Sequence, residues 1–364
     1  MHTLLRFGAP LLAALLAPMA MAQGTVNVYN WSDYIAEDTT ANFEAKTGIK
    51  VVYDVFDANE VLEAKLLTGQ SGYDLVVPSD NFMAKQIQAG IYQRLDKSKI
   101  PNLKNLNPKL MAQLAEVTDP GNQYGVPYMW GTTGIGYNEE KVKAALGEDA
   151  PVDSWSLVFD PRYMEKLGSC GVSFMDSPDE MMPLALIYLG LDPNSMSAAD
   201  YTRAAELMET VRPYITYFHS SKYIADLANG DICVAVGWSG DVLQAADRAD
   251  EAGSGVSVVY SIPKEGAPIW FDMMGIPKDA PNPDNAHALI NYLLEPEVMA
   301  GIVNYVAYAT PNDAAIALVD EEIRNQKGIF PDPEVMGKLF IHKPVLRKLE
   351  RQQTRLWTRL KSGQ

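Results

Sequence analysis

The chain has 364 residues, a formal net charge of −16 and a hydrophobic fraction of 47%. An acidic balance of this size argues against nucleic acid and anionic membrane surfaces as partners, and the apolar fraction argues against a disordered chain. The length exceeds what one hydrophobic core usually holds, so we expect two lobes.

The first 22 residues have the pattern of a secretory signal peptide. A thin polar start is followed by an apolar core over 10–18 and by the small-x-small sequence Ala20-Met21-Ala22. The apolar core is too short for a membrane-spanning helix. Gln23 follows the predicted cleavage site, and because it is not a cysteine, no lipid anchor is indicated. We therefore expect an exported protein that begins at Gln23.

Strand and helix patterns alternate in the first part of the chain. Strand patterns are found near 26–29, 50–55 and 73–79, and helical patterns over 36–46 and 59–67. This alternation predicts an α/β fold with a mostly parallel sheet. Ligands usually bind at the carboxyl ends of such strands.

The segment from Tyr124 to Gly136 is rich in glycine and aromatic residues. Gly131, Gly134 and Gly136 are spaced G-x-x-G-x-G, which is not the dinucleotide-binding fingerprint, and no helical pattern follows them. We expect an extended segment that crosses from the first lobe to the second.

The rest of the chain divides between the two lobes. Strands are expected over 170–175 and 231–238, with extended segments at 256–261 and 269–276, and a last crossing near 305–311. Helices are expected over 180–189, 198–211, 221–229, 284–294 and 345–360. The predicted first lobe is 25–128 with 251–306, and the predicted second lobe is 132–248 with 310–364.

Clusters of aromatic and acidic residues occur three times, in Trp31-Ser32-Asp33-Tyr34, Trp238-Ser239-Gly240-Asp241 and Trp270-Phe271-Asp272. Polar loops are predicted at 79–81 and 176–180. Aromatic faces and carboxylates both attract cations. If all of these lie at strand ends, they form a cleft for a compact apolar chain with several positive charges. The alternative is that the rings belong to the core and the acids cap helices.

Enzyme signatures are missing. The three histidines beyond the signal peptide, His219, His287 and His342, lack zinc-ligand spacing, and neither a nucleophile elbow nor a phosphate-binding loop is present. We expect no cofactor, no metal and no enzymatic activity. From the residues alone a sugar-binding protein or a glycosidase stays open, because paired carboxylates can hydrolyse glycosides.

Cys170 and Cys233 are the two cysteines. In an exported protein an isolated pair is expected to form one disulfide. Two buried free thiols are the alternative.

Nearly the whole chain beyond the signal peptide resembles the periplasmic polyamine-binding proteins of spermidine/putrescine ABC transporters. The resemblance is carried by segments such as YNWSDYIA, TGIKVVYDVFD, YDLVVPS, PYMWGTTGIGYN, ANGDICVAVGWSGDV and SIPKEGA. It implies a type II periplasmic-binding-protein fold, with two α/β lobes joined by a three-segment hinge. It also implies a monomeric periplasmic protein, a polyamine ligand and an inner-membrane ABC permease as partner. A polyamine sensor that docks on a membrane receptor is the alternative role.

The resemblance also implies a set of ligand-binding residues. The aromatic walls are expected from Trp31, Tyr34, Trp238, Trp270 and Tyr308. The carboxylates that receive ammonium groups are expected to be Asp33, Glu180, Asp241 and Asp272, and the other polar contacts Ser32, Ser79 and Asn81. The cysteines match positions that are disulfide-bonded in relatives.

Ligand length is expected to depend on Trp270, because a tryptophan there resembles spermidine-preferring members of the family. The sequence analysis therefore favours spermidine over putrescine. Ser177 argues against this preference, since some spermidine binders are acidic at that position. His342 either packs in the core or lines the cleft.

Overall fold

The computed structural model describes residues 24–363, and the predicted signal peptide at 1–22 lies outside them. Ten strands and seventeen α-helices are found in this part of the chain. The strands are β1 Thr25–Trp31, β2 Lys50–Phe56, β3 Leu75–Val76, β4 Gly125–Asn138, β5 Val172–Phe174, β6 Tyr217–Phe218, β7 Val234–Trp238, β8 Val258–Ser261, β9 Ala267–Gly275 and β10 Leu339–Phe340.

The helices surround the sheet on both sides of its long central strands. They are α1 Thr39–Thr47, α2 Asn59–Leu67, α3 Asp80–Gln88, α4 Pro108–Val117, α5 Glu139–Leu146, α6 Ser156–Phe159, α7 Pro161–Leu167, α8 Pro178–Tyr188, α9 Ala198–Val211, α10 Tyr223–Ala228, α11 Ser239–Glu251, α12 Pro283–Leu293, α13 Pro296–Val306, α14 Asp313–Ile316, α15 Glu321–Asn325, α16 Pro333–Met336 and α17 Arg347–Ser362.

Strand β4 joins the two halves of the sheet. Its first part pairs antiparallel with β9, and its second part pairs antiparallel with β7 and β8. On one side, β1 lies parallel between β2 and β3, and on the other, β5 lies parallel between β6 and β7. The predicted crossing segment is therefore one continuous buried strand of 14 residues.

Two large hydrophobic cores lie on opposite sides of this crossing. The first packs around β1, β3 and β9, and includes Phe43, Leu62 and Met273. The second packs around β5 and β7, and includes Trp155, Phe174 and Trp357. A smaller cluster joins α10 and α11 to β7 and β8.

Packing differs from the predicted lobe boundaries in two places. Strand β8 was assigned to the first lobe, but it pairs with residues 135–138 of β4, in the half that also pairs with β7, because α11 packs against it. Ala315, Val319 and Ile329 were assigned to the second lobe, but they are buried in the first core, because α14 packs on α13. The division into two lobes is otherwise kept as a prediction.

Two local predictions were wrong because the sequence analysis did not identify where a helix begins. The polar loop expected at 79–81 is the start of α3, where Asp80 stands in the first turn and suits the positive end of the helix dipole. Helix α13 was not predicted, although it begins at Pro296 and proline at the first helical position is favourable.

The predicted disulfide between Cys170 and Cys233 is confirmed. Their Cα atoms are 5.5 Å apart, and the bridge joins the segments that enter β5 and β7. A cross-link over 63 positions stabilises a fold by about 2–5 kcal/mol. Across residues 24–363, none of the helices has both the length and the apolar character that crossing a bilayer requires.

Candidate functional site

A cavity lies between the two cores, where β1 and β7 end and β9 passes through the sheet. Its empty space measures about 760 Å³ out to the mouth. The structure places eleven of the twelve predicted ligand-binding residues in its wall, and their contact with a ligand stays a prediction. The lining residues are Trp31, Ser32, Tyr34, Asp57, Ala58, Asn59, Glu60, Ser79, Asn81, Phe82, Ser177, Asp179, Glu180, Ser220, Ser221, Trp238, Asp241, Trp270, Asp272, Tyr308 and His342.

Five aromatic rings from both sides of the cavity touch one another in series. The ring centroids of Trp31 and Trp238 are 5.5 Å apart, and those of Trp238 and Trp270 are 6.4 Å apart. Tyr308 continues the series, at 5.5 Å from Trp270 and 5.0 Å from Tyr34. All five rings line the cavity, and aromatic rings can attract a cation or cover methylene groups.

Two glycines make room for this aromatic wall. A Cβ atom on Gly131 would lie 2.6 Å from the Trp270 ring, and one on Gly240 would lie 2.4 Å from the Tyr308 ring. Such distances are far inside van der Waals contact. A side chain at either position would therefore displace the ring from the cavity wall.

Asp272 and Asp241 lie together at the aromatic end of the cavity, and both are buried. Ser79 Oγ donates a 2.8 Å hydrogen bond to Asp272 Oδ1. Tyr308 and Tyr223 donate hydrogen bonds of 2.6 and 2.8 Å to the two oxygens of Asp241. Among the described residues the donors to these carboxyl groups are uncharged, so the hydrogen bonds orient the carboxyl groups without supplying positive charge.

Glu180 supplies a third carboxyl group, from the first turn of α8. Thr133 Oγ1 donates a 2.8 Å hydrogen bond to its Oε2 atom. His342 Nε2 lies 3.9 Å from the same oxygen, but burial lowers the pKa of His342 to about 4. The histidine is therefore neutral at physiological pH and does not compensate the charge of Glu180.

Burial raises the pKa of all three carboxyl groups. It brings the pKa of Asp272 and of Glu180 to about 7 and that of Asp241 to about 6. Within residues 24–363 none of the three forms an ion pair with a lysine or an arginine. A buried carboxylate without a cationic partner is unfavourable, so the cavity favours a ligand that brings positive charge.

Several polar atoms in the cavity wall have no hydrogen-bond partner within the described residues. They are Trp31 Nε1, Tyr34 Oη, Trp270 Nε1 and His342 Nε2. Buried polar atoms are nearly always hydrogen-bonded in folded proteins. Their presence together in one wall indicates a place for a bound molecule or for water.

Asp33 is the one predicted binding residue that lies outside the cavity wall. Its backbone has φ +52°, which turns the chain sharply after Trp31. The carboxylate forms a 2.9 Å ion pair with Arg248, and its side chain is 45% exposed. The expectation that it receives a ligand ammonium is not supported, because it already has a cationic partner on the outside.

Several lining residues were missed from the sequence. Asp57 and Asn59 follow β2, so the strand-end rule that identified the other clusters would have found them too. Ser32 Oγ donates a 2.5 Å hydrogen bond to Asp57, and Asn59 Nδ2 donates one of 3.0 Å to Ser79 Oγ. Asp179 belongs to the polar loop predicted at 176–180 but was not among the predicted binding residues. Phe82 lies in the first turn of α3, and no sequence pattern singled it out.

Comparison with known proteins agrees with this architecture. Residues 38–331 match the family described as bacterial extracellular solute-binding protein. The putrescine-binding periplasmic protein SpuD of Pseudomonas aeruginosa (strain UCBPP-PA14) is 59% identical over 364 residues, which cover 98% of this chain and 99% of that protein. The putrescine-binding periplasmic protein PotF of Escherichia coli (strain K12) is 57% identical over 354 residues, which cover 97% of this chain and 95% of that protein.

A solved structure of the spermidine/putrescine ABC transporter substrate-binding protein PotD from Streptococcus pneumoniae superposes with a TM-score of 0.76 at 30% identity. The match covers 93% of this chain and 99% of that one. The expected periplasmic-binding-protein fold is therefore confirmed. So is the expectation that the chain is not an enzyme, because its relatives bind substrates for transport. The chain belongs to the family of bacterial extracellular solute-binding proteins.

Proposed function

We propose that the chain is a periplasmic polyamine-binding protein that holds a linear polycation between its lobes and delivers it to an ABC permease. The observation that carries this proposal is a set of three carboxyl groups in an aromatic cavity without a lysine or arginine partner. They are the buried Asp241 and Asp272, and Glu180, whose side chain is 14% exposed. Charge, burial and ring faces together suit an ammonium compound better than a sugar or an anion.

One terminal ammonium group of the ligand would be bound at the aromatic end, by Asp272 and Asp241. The other would be bound by Glu180. The methylene chain between them would lie along Trp238 and Trp270, since a flexible apolar chain gains from contact with large rings. Micromolar affinity needs about 8 kcal/mol, and each charge-assisted hydrogen bond contributes about 1.5–3 kcal/mol.

Putrescine is the polyamine that we propose as preferred. Support comes from SpuD and PotF, the two relatives described above, both of which are named as putrescine-binding proteins. The preference for spermidine that the sequence analysis drew from Trp270 stays a competing prediction. Both ligands fit the same charge pattern, because each has two terminal ammonium groups.

Titration calorimetry tests this function directly. We expect putrescine, cadaverine and spermidine to bind, with putrescine tightest. Two matched ligands serve as controls: butylamine, which lacks the second charge, and 1,4-butanediol, which lacks both. If no diamine binds, or if butylamine binds as tightly as putrescine, the proposal is wrong.

The Trp270→Phe variant separates the two length predictions. If Trp270 favours the longer ligand, this substitution weakens spermidine more than putrescine. If wild-type protein binds spermidine at least tenfold more tightly than putrescine, putrescine is not the preferred ligand. An equal loss of affinity for both ligands would show that Trp270 supports the cavity wall but does not discriminate between ligands of different length.

Delivery to a permease is tested in cells. A strain that lacks this protein should lose uptake of labelled putrescine at low external concentration, and expression of the chain should restore it. Restoration should fail for the Asp272→Asn variant, which keeps the fold but lacks one of the charges. Uptake that does not depend on the protein would contradict a transport role.

A further inference from the structure

A second, smaller cavity lies behind the far wall of the ligand cavity. The two cavities share Asn81, Asp179 and His342, which therefore form the partition between them. Glu180 faces only the ligand cavity, whereas Asp179 faces both. Lys85 lines the second cavity and not the first.

The Lys85 ammonium group lies against this partition and is bound by acids of the other half of the molecule. Its Nζ atom is 2.8 Å from Glu350 Oε1 in α17 and 3.7 Å from Asp179 Oδ2 in α8. It also lies 4.3 Å from the centroid of the Phe82 ring, which lines the ligand cavity. The lysine and Asp179 side chains are each 18% exposed.

The lysine stays charged in this position. Burial lowers its pKa, but Asp179, Glu350 and Glu63 outweigh that effect and raise the pKa above its usual value. Asp179 lines the ligand cavity next to Glu180 but already has an ammonium partner, the Lys85 side chain of the protein itself.

We propose that the ammonium group of Lys85 limits the length of the polyamine that the cavity accepts. An ammonium group of the ligand that extended past Glu180 would find Asp179 already paired with Lys85. It would also approach the positive charge of Lys85. Like charges in a partly buried site repel strongly, because little water is present to screen them. The far end of the cavity therefore favours ligands whose charge ends at Glu180.

This inference rests on the proposed function and goes beyond it, since it assigns the length limit to a residue outside the cavity wall. The quantity that tests it is the ratio of the spermine affinity to the putrescine affinity, measured by calorimetry. In the Lys85→Met variant we expect this ratio to rise at least tenfold, because Asp179 becomes free to receive an ammonium group. In the double variant Lys85→Met, Asp179→Asn the gain should disappear.

Two control variants separate this effect from others. Lys85→Arg keeps the charge, so the ratio should stay near that of the wild type. Lys46→Met removes a positive charge from an ion pair with Glu295 elsewhere on the surface, and it controls for the change in net charge. Thermal unfolding of each variant shows whether it is folded, and Lys85→Gln replaces Lys85→Met if the latter is not.

The possible outcomes are distinct. If wild-type protein binds no polyamine, the proposed function fails. If putrescine binds but Lys85→Met leaves the ratio unchanged, the inference is wrong. Lys85 would then only stabilise the contact of α3 with α8 and α17. In that case its substitution would change the affinity for every ligand equally.

Discussion

The two acidic ends of the cavity differ in how their carboxyl groups are satisfied. At the aromatic end, Asp272 and Asp241 accept hydrogen bonds from hydroxyl groups, which supply no positive charge. At the far end, Asp179 is paired with Lys85. A hydroxyl donor orients a carboxylate and leaves it able to bind a cation, whereas a lysine neutralises it. In our proposal, the first arrangement binds the ligand and the second limits its length.

The largest effect is expected from Asp272→Asn. Loss of one partner from a buried charge pair costs about 2–5 kcal/mol, which corresponds to a loss of about 30-fold or more in putrescine affinity. Calorimetry measures it. The matched control is Asp176→Asn, because Asp176 is an acid of the other half that is paired with Lys361 at 2.6 Å and does not line the cavity.

A loss of putrescine affinity of less than fivefold in Asp272→Asn would contradict the proposed difference between the two ends. An effect of similar size in Asp176→Asn would also contradict it. Either result would mean that the hydroxyl-bound acids are structural.

The next largest effect is expected from Gly240→Ala, which tests the aromatic end without a change of charge. Its Cβ would lie 2.4 Å from the Tyr308 ring, so the ring must move away from Asp241. We expect putrescine affinity to fall about tenfold, measured by calorimetry.

Gly301→Ala is the control for that substitution. Gly301 stands inside α13 with no atom within 4 Å of its added Cβ, and alanine in a helix is more favourable than glycine by roughly 0.5–1 kcal/mol. Wild-type affinity in Gly240→Ala would show that Tyr308 is dispensable.

A pH-dependent stability is the third prediction. Asp272 and Glu180 have a pKa of about 7 in the folded protein, above their ordinary values. Groups with a raised folded-state pKa stabilise the fold below their unfolded pKa, and this contribution is lost as pH rises through about 7. The ligand-free protein should therefore unfold at a higher temperature at pH 5.5 than at pH 8.

Asp272→Asn should remove part of that pH dependence, on the order of 2 kcal/mol. The proposed binding of putrescine is to the ionised carboxylates, so saturation with putrescine should stabilise the protein most at pH 8. Calorimetric or fluorescence-monitored unfolding measures both effects. An identical pH profile for wild type and Asp272→Asn would contradict the raised pKa.

The smallest effect is expected from Asp33→Asn. The carboxylate is outside the cavity wall and paired with Arg248, so we expect putrescine affinity to change less than threefold. Arg248→Met is the matched partner variant, and calorimetry compares the two. A loss as large as that of Asp272→Asn would restore the role in ligand binding that the sequence analysis assigned to Asp33.

Much of the site follows from local sequence rules. Trp31 and Trp238 end strands β1 and β7, and Asp241 stands in the first turn after β7. Because residues at strand ends face one edge of an α/β sheet, their clustering could be predicted without coordinates. The same holds for the crossing strand β4.

Other features depend on conformations that residue type does not encode. Asp33 belongs to the same aromatic and acidic motif as Trp31, yet a positive φ turns it toward Arg248. Helix α13 begins at Pro296, just after the predicted helix over 284–294, and was not predicted. In both cases the backbone conformation decides between two structures that are equally compatible with the amino acid types.

The sequence by itself therefore determined the fold class, the disulfide and the aromatic and acidic residue types of the cavity, because these depend on local patterns and on residue chemistry. Only the tertiary structure decided which acids are free to bind a cation. Lys85 and Glu350 are separated by 265 positions and meet because the fold brings the Lys85 side chain of α3 to acids of α17 and α8. The charge available at a carboxylate depends on neighbours that the fold brings together, and no local pattern contains them.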